Sequence, residues 1–541
     1  MDRHLNSVVD FTNRKDARIV LLLLVIVFSF VVLKNAWVGD DAYITFRTVE
    51  NFLSGHGLTF NPLERVQTYT HPLWMFLISG VYFITNRLLG IAFWAQLYYT
   101  VVAISVMLSV AAALVLVYGV GRSMFSGVLA ITILILSKAY IDYSTSGLEN
   151  PLSHLILVVF LWIYFRSGGV SLRKLFLLSL LAALAALNRP DTLLLYLPAV
   201  GYAWWQVRDR WQGALRVLLG FLPLILWELF SLFYYGSLSP NTAYAKLSTG
   251  ISAGMLVKQG YFYFLNSVSL DPLTLTMIAF VILLPFLVKE WRFMPLIAGI
   301  VLYLAYILYI GGDFMSGRYF AAPLLMAAGI LAVYPFRDLK AFGLLLLVTL
   351  LLGLTSPRPP VAFTESIQEF YGAVENPNDL IDEKGISDEH LYYHSRLGLI
   401  ADSPDQRYPG SSFAGKKWKP GKKPASLETT GPLGIFGYVK GPDVHILDSN
   451  GLADPLISRL PVQDPEHWRI GHFKHIVPDG YLETLPNGEN KIADLNLARY
   501  YDQLRLITRG ALFDPERLAT IIRINLGYYD PLLQAYIKAI Q

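Results

Sequence analysis

The chain has 541 residues, of which 54% are hydrophobic and only 16% charged, with a net charge of +4 and no cysteine. A soluble protein of this length carries roughly 25% charged residues, so the composition excludes an ordinary soluble enzyme. The small net charge argues against a nucleic-acid partner, and the missing thiols exclude disulfides and thiolate metal sites.

The charge deficit lies between Arg18 and Leu354, where apolar runs follow one another. Residues 1–356 therefore predict a multi-pass α-helical membrane domain, and 357–541, of ordinary globular composition, a soluble α+β domain. The first run, Ile19 to Leu33, follows Arg14, Lys15 and Arg18, and no small-residue cleavage site follows it, which predicts an uncleaved span. Lys and Arg favour cytoplasmic span ends. Arg3, Arg14, Lys15 and Arg18 place the N-terminus inside, and Gly39 and Asp40 emerge outside. The clusters Arg166/Arg173/Lys174, Arg208/Arg210/Arg216, Lys289/Arg292 and Arg337/Lys340 repeat the signal. The stretches 146–150, 188–191, 234–246 and 311–320 then fall outside, as does everything after the last span, Ala341 to Leu354. Parity holds if Pro72–Thr85 is a re-entrant or interface-lying helix and the next span runs from Phe93 to Val120. About eleven spans of ordinary length result.

The first outer loop reads W-V-G-D-D-A-Y-I-T-F-R-T-V-E-N-F-L-S-G-H-G-L-T-F-N-P. Ile44, Val49 and Phe52 have helical spacing, so Ala42 to Phe52 predicts a short helix along the membrane interface. Glycines in Ser54–Gly57 would end it. Asp40 and Asp41 at a span end suit general-base work or cation binding; they equally suit capping the helix that follows. The other outer loops carry Glu149, then Arg189 and Asp191, then Asn241 and Lys246, then Asp313 and Arg318. A single charge at membrane depth is usually a structural pair or cap, but four loops repeating the pattern point to a cavity holding both acids and bases. The basic loop Gly415–Lys423 reads as solvated surface, with contact to anionic headgroups as the alternative. In the last third, Val444–Leu447 predicts a strand and Leu497–Ile507 and Pro515–Ile524 helices. Asp448, Asp454, His472 and His475 are its polar candidates, and turn and cap roles serve them equally.

G-D-D-A-Y-I-T-F-R, G-H-G-L-T-F-N-P, S-G-L-E-N, N-R-P-D, Y-Y-G-S-L-S-P-N-T-A-Y-A-K and G-G-D-F-M-S-G-R-Y occur in that order, followed by L-D-S-N-G-L-A-D-P-L-I-S-R-L and G-H-F-K-H-I-V-P. This ordered set resembles the bacterial arabinofuranosyltransferase family of the GT-C superfamily, to which the mycobacterial terminal β-(1→2)-arabinofuranosyltransferases belong. Leu63 and His71 depart from the pattern, standing where glycine and asparagine are expected.

The resemblance implies a GT-C membrane domain with a periplasmic C-terminal domain, in a bacterial inner membrane. It implies a sugar donor on polyprenyl phosphate, with D-arabinofuranose as the sugar, and a glycan or glycoprotein acceptor, a pilin among them. Asp40 or Asp41 would be the catalytic base. Arg47, Arg189, Lys246 and Arg318 are the candidates to meet the donor phosphate. His71, Glu149, Asp191, Asn241, Asp313 and His472 are the substrate-binding candidates. No cofactor or metal is expected, a divalent cation at Asp40/Asp41 being the alternative. The rival readings are a lipid-linked glycan flippase, which predicts interrupted helices in matching halves, a ligase using diphosphate-linked glycans, and a non-catalytic scaffold.

Overall fold

The computed structural model describes residues 15–91, 96–336, 338–361, 380–400 and 426–540. The Gly415–Lys423 loop, Arg3, Arg14 and Arg337 lie outside the described residues. The described residues are mostly helical, with several long apolar helices and one small sheet.

Among the described residues, four helices are long and apolar enough to cross a membrane: Lys15–Lys34, Leu97–Val120, Arg210–Tyr234 and Trp291–Tyr309. The pair Ala253–Leu270 and Pro272–Val288, bent by 111°, is a broken fifth span or a re-entrant loop. The bend has a local cause. Pro272 has no N–H to continue the helix, and the Asp271 carboxylate caps the second segment by accepting from Thr274 N at 3.2 Å. Other apolar helices are shorter, among them Met124–Leu136, Asn150–Tyr164 and Leu339–Leu354. A 13-residue helix rises about 20 Å, less than the roughly 30 Å hydrocarbon core. Length therefore supports four or five crossings directly, where the apolar runs alone predict about eleven. Pro72–Tyr82 is helical and continues as one π-helical turn, Phe83–Leu88.

By compactness the chain divides into two units, and the division does not follow the hydropathy boundary at 356/357. The first unit takes Met1–Gly39, Tyr98–Leu224 and Ala253–Arg407; the second takes Asp40–Leu97, Ile225–Ser252 and Tyr408–Gln541.

In the second unit, two five-residue strands, β1 (Ser426–Thr430) and β2 (Val444–Asp448), pair in parallel from Ser426↔Val444 to Thr430↔Asp448. Parallel strands need a crossover, and the helix Gly434–Lys440 lies in it. One apolar cluster joins Ile44 and Phe60 to Leu433, Ile446 and Ala453. Another, of Leu456, Leu460, Tyr481, Leu497, Tyr500, Leu504 and Leu533, holds the C-terminal helices Leu495–Arg509 and Asp530–Ile540.

The first-loop helix runs Asp40–Leu53, so both acids lie inside its first turn. An interface-lying helix keeps one side bare, but here every residue from Ala42 to Asn51 is buried. That corrects the interfacial reading: protein surrounds this helix. Its end follows the glycine signal, since Gly55 and Gly57 have φ of +82° and +87° and His56 N closes back onto Asn51 O at 2.8 Å.

Candidate active site

Each unit gathers a set of charged side chains. In the second, the Asp40 carboxylate accepts from Gly434 N at 3.0 Å and Ile435 N at 2.8 Å, one bond to each oxygen. It thereby caps the start of the Gly434–Lys440 helix, whose N–H groups have no partner within their own first turn. Burial pushes the Asp40 carboxyl up to about 6; the two N–H groups pull against that, and the neighbouring Asp41 adds to it. Asp448, at the end of β2, is fully buried and accepts from Asn450 N at 2.8 Å and Leu452 N at 2.6 Å. Burial raises it to about 7 despite those bonds, and Asp41 is near enough to raise it further. Asp40, Asp41 and Asp448 therefore form one acidic group, in which burial raises Asp40 and Asp448.

Other expected residues of this unit have fixed partners. Arg47 is wholly buried and donates to Phe60 O at 2.8 Å, Gly437 O at 2.5 Å and Val444 O at 2.8 Å, its guanidinium 4.4 Å from the centre of the Phe60 ring. It ties the first-loop helix to the β1–β2 crossover and offers no open face to a phosphate, which corrects its donor-binding assignment. Asn241 donates to Gly451 O, Leu452 O and Asp454 O at 2.8–3.1 Å and accepts from Ser458 Oγ at 3.0 Å. It holds the turn after β2, so its substrate-binding assignment is corrected likewise. His71 Nε2 lies 2.8 Å from Thr45 Oγ1, one turn along from Asp41. Lys246 forms no ion pair with any described residue, and its charge, after burial and Arg469, helps hold His472 down at about 4. Asp454 accepts from Leu456 N, Ile457 N and the Tyr481 hydroxyl, and His475 bridges Leu460 O and Ala245 O. Both are framework residues.

In the first unit three of the four charged loops converge; the fourth, with Asn241 and Lys246, belongs to the second unit. Glu149 Oε1 receives Arg189 Nη1 at 2.6 Å and Arg318 Nη2 at 3.3 Å. Arg189 Nε also lies 2.9 Å from Asp191 Oδ1, and Arg318 Nη1 3.4 Å from Asp313 Oδ2. Tyr303 donates to Asp191 at 2.8 Å, and the Tyr319 ring centre lies 4.5 Å from the Arg189 guanidinium. Five residues from three separate loops thus share one cluster, two guanidiniums facing three carboxylates. Burial would lower both arginines, but the surrounding acids outweigh it and hold them protonated. Arg318 Nε is buried with no hydrogen-bond partner among the described residues.

A third cluster escapes sequence reasoning. Lys138 pairs with Asp142 and Asp388, Arg358 pairs with Asp388, and His390 Nδ1 lies 3.5 Å from Asp142. Donor atoms of Asp142, Asp388 and His390 lie within 4.8 Å of one another, a spacing that could hold a metal ion. Lys138 and Arg358 already neutralise those carboxylates, which fits an ion-pair network better than a cation site. In sequence only the i,i+4 pair Lys138/Asp142 is visible; Asp388 lies 250 residues from Lys138.

No family model matches the chain. A terminal β-(1→2)-arabinofuranosyltransferase of Mycobacterium tuberculosis is 25% identical to it across 84% of this chain and 83% of that protein. The chain is similar to that transferase over most of its length. A second terminal β-(1→2)-arabinofuranosyltransferase, from Corynebacterium glutamicum, is 32% identical over 39% of this chain and a third of its own length, 33%. The likeness to arabinofuranosyltransferases thus runs along most of a multi-pass membrane protein, as the ordered motifs lead one to expect.

Proposed function

We propose that the protein transfers a sugar, D-arabinofuranose, from a polyprenyl-phosphate carrier to a glycan or glycoprotein acceptor outside the cytoplasmic membrane, within a GT-C fold. The acidic group at the start of the Asp40–Leu53 helix carries the reading, together with the likeness to two transferases of one kind. The acceptor hydroxyl oxygen attacks the anomeric carbon, the bond from that carbon to the phosphate oxygen breaks, and polyprenyl phosphate leaves. The hydroxyl proton passes to a carboxylate. Asp41 is the base in this reading. Asp40, with each oxygen already accepting a backbone N–H, positions the helix start. Within the first unit taken alone, Arg189 and Arg318 are the candidates for phosphate recognition. Glu149 holds both forks in place, and phosphate would replace the longer Asp313 contact of 3.4 Å. An already charged leaving group needs such stabilisation more than acid catalysis.

The flippase reading needs interrupted helices in matching halves; among the described residues one bent pair is present, without a counterpart. The test is transfer by the purified full-length protein from polyprenyl-phosphate-linked arabinofuranose. Asp41→Asn should remove turnover at every pH. Asp40→Asn should lower it while leaving the limb of the pH profile set by the base. Near-normal turnover by Asp41→Asn would remove Asp41 from the role, and no transfer by the unaltered chain with any arabinofuranosyl donor would end the transferase reading.

A further inference from the structure

The helix Pro515–Asn525 in the second unit is apolar on two sides. One side, with Thr520, Ile521 and the buried Arg517, packs inward. The other carries Leu518, Ile522 and Leu526 at i, i+4 and i+8, a single stripe on the helix surface. Ile522 is 62% and Leu526 80% exposed, and Phe513 and Tyr528 at the two ends of the segment are 79% and 71% exposed. A helix on a water-facing surface turns polar residues outward, and clustered exposed apolar side chains mark a surface meant to be covered.

What lies beside the stripe indicates the cover. Arg517 Nη2 donates to Phe233 O and Tyr234 O, both at 2.9 Å, and so caps the carbonyl end of the Arg210–Tyr234 span. Asn525 donates to Gly236 O at 2.8 Å, and the Phe513 and Phe233 rings are 5.4 Å apart. Gly236 permits this closeness, for a Cβ there would lie 2.2 Å from Ile507 Cγ2. On the part of that span that belongs to the same unit, Leu226 and Leu229 are exposed. The segment that carries the stripe therefore adjoins the Tyr234 end of that apolar helix.

We infer that the segment from Phe513 to Tyr528 is an interfacial anchor, its exposed stripe seated in the bilayer leaflet at the Tyr234 end of the Arg210–Tyr234 span. The last part of the chain is then bound to the membrane surface by its own side chains, whatever reaction the protein catalyses.

The absence of cysteine makes the test direct. Phe513→Cys, Ile522→Cys and Leu526→Cys are made singly in the full chain, spin-labelled and reconstituted in nanodiscs, with Asp464→Cys and Glu489→Cys as water-facing controls. Collision rates with molecular oxygen and with a water-soluble nickel chelate are measured by electron paramagnetic resonance. The three stripe labels should be relaxed several-fold more by oxygen than by the chelate, with the ratio reversed at both controls. Chelate access at the stripe equal to that at the controls would overturn the anchor. So would strong dipolar coupling between labels on different molecules, which would make a second copy the cover.

Discussion

The buried pair Glu64–Arg509 gives the sharpest test of how the second unit is held together. Glu64 is 1% exposed, and its Oε1 receives Arg509 Nη2 at 2.5 Å and Nε at 3.0 Å. At these separations the attraction is about 6 kcal/mol for an effective dielectric constant near 20, against several kcal/mol of desolvation for each ion. The pair as a whole thus adds little, yet removing one partner strands the other at about 3–5 kcal/mol. The loss should be uneven. The Arg509 side chain keeps 19% exposure and Glu64 only 1%, so Arg509→Met should lie at the upper end and Glu64→Gln at the lower. The double variant Glu64→Gln/Arg509→Met should be less destabilised than Arg509→Met alone. The assay is denaturant unfolding of the full chain in micelles at neutral pH, followed by tryptophan fluorescence. Additivity of the two single losses to within about 0.5 kcal/mol would refute the reasoning, since uncoupled sites behave that way. Burial opposes the charge on Glu64, but Arg509 and then His445 win and hold its pKa below 4.5. The contribution of the pair is therefore complete above the unfolded value and is lost as pH falls through the lower folded one.

The opposite sign is expected of Asp448 and Asp454. Burial raises both to about 7, so their contribution is full below the unfolded value of 3.8 and is lost as pH rises to about 7; the unfolding midpoint should fall between pH 5 and pH 7.5, by up to about 1.4 kcal/mol per group per pH unit, and Asp448→Asn should flatten the slope. Gly434→Ala places a Cβ 1.9 Å from Asp40 O, so the cap must move; turnover should drop about a hundredfold with the protein still folded, and unchanged turnover would separate Asp40 from the chemistry. Glu149→Gln removes the charge bridging Arg189 and Arg318 and should weaken donor binding, read as a raised KM at similar kcat; unaltered kinetics would leave the cluster a purely structural one.

Local signals were readable along the chain because their causes are local. Ser54–Gly57 ends its helix by glycine conformation, a helix begins at Pro515 as expected, and Val444–Asp448 is the strand its β-branched and apolar residues suggest. The loop cluster was readable in part: charges beside long apolar runs must find one another, and Glu149, Arg189, Asp191, Asp313 and Arg318 do, while Asn241 and Lys246 belong to the other unit. Arg47 and Asn241 misled for a reason that sequence hides. Their partners are backbone carbonyls as much as 397 residues away, and a carbonyl leaves no mark in the residue that carries it. The Lys138–Asp142–Asp388–Arg358 network was missed because its members are far apart in the chain, and the two compact units because each is assembled from three distant segments.

That assembly bears on the order of biosynthesis. The Asp40 carboxylate waits for amide groups 394 residues further on, so at a synthesis rate of about 5–20 residues per second the acid stands uncapped for roughly 20–80 seconds after it is made. A ribosome that stopped short of β1 would release a chain with its membrane helices complete and its key acid still unseated.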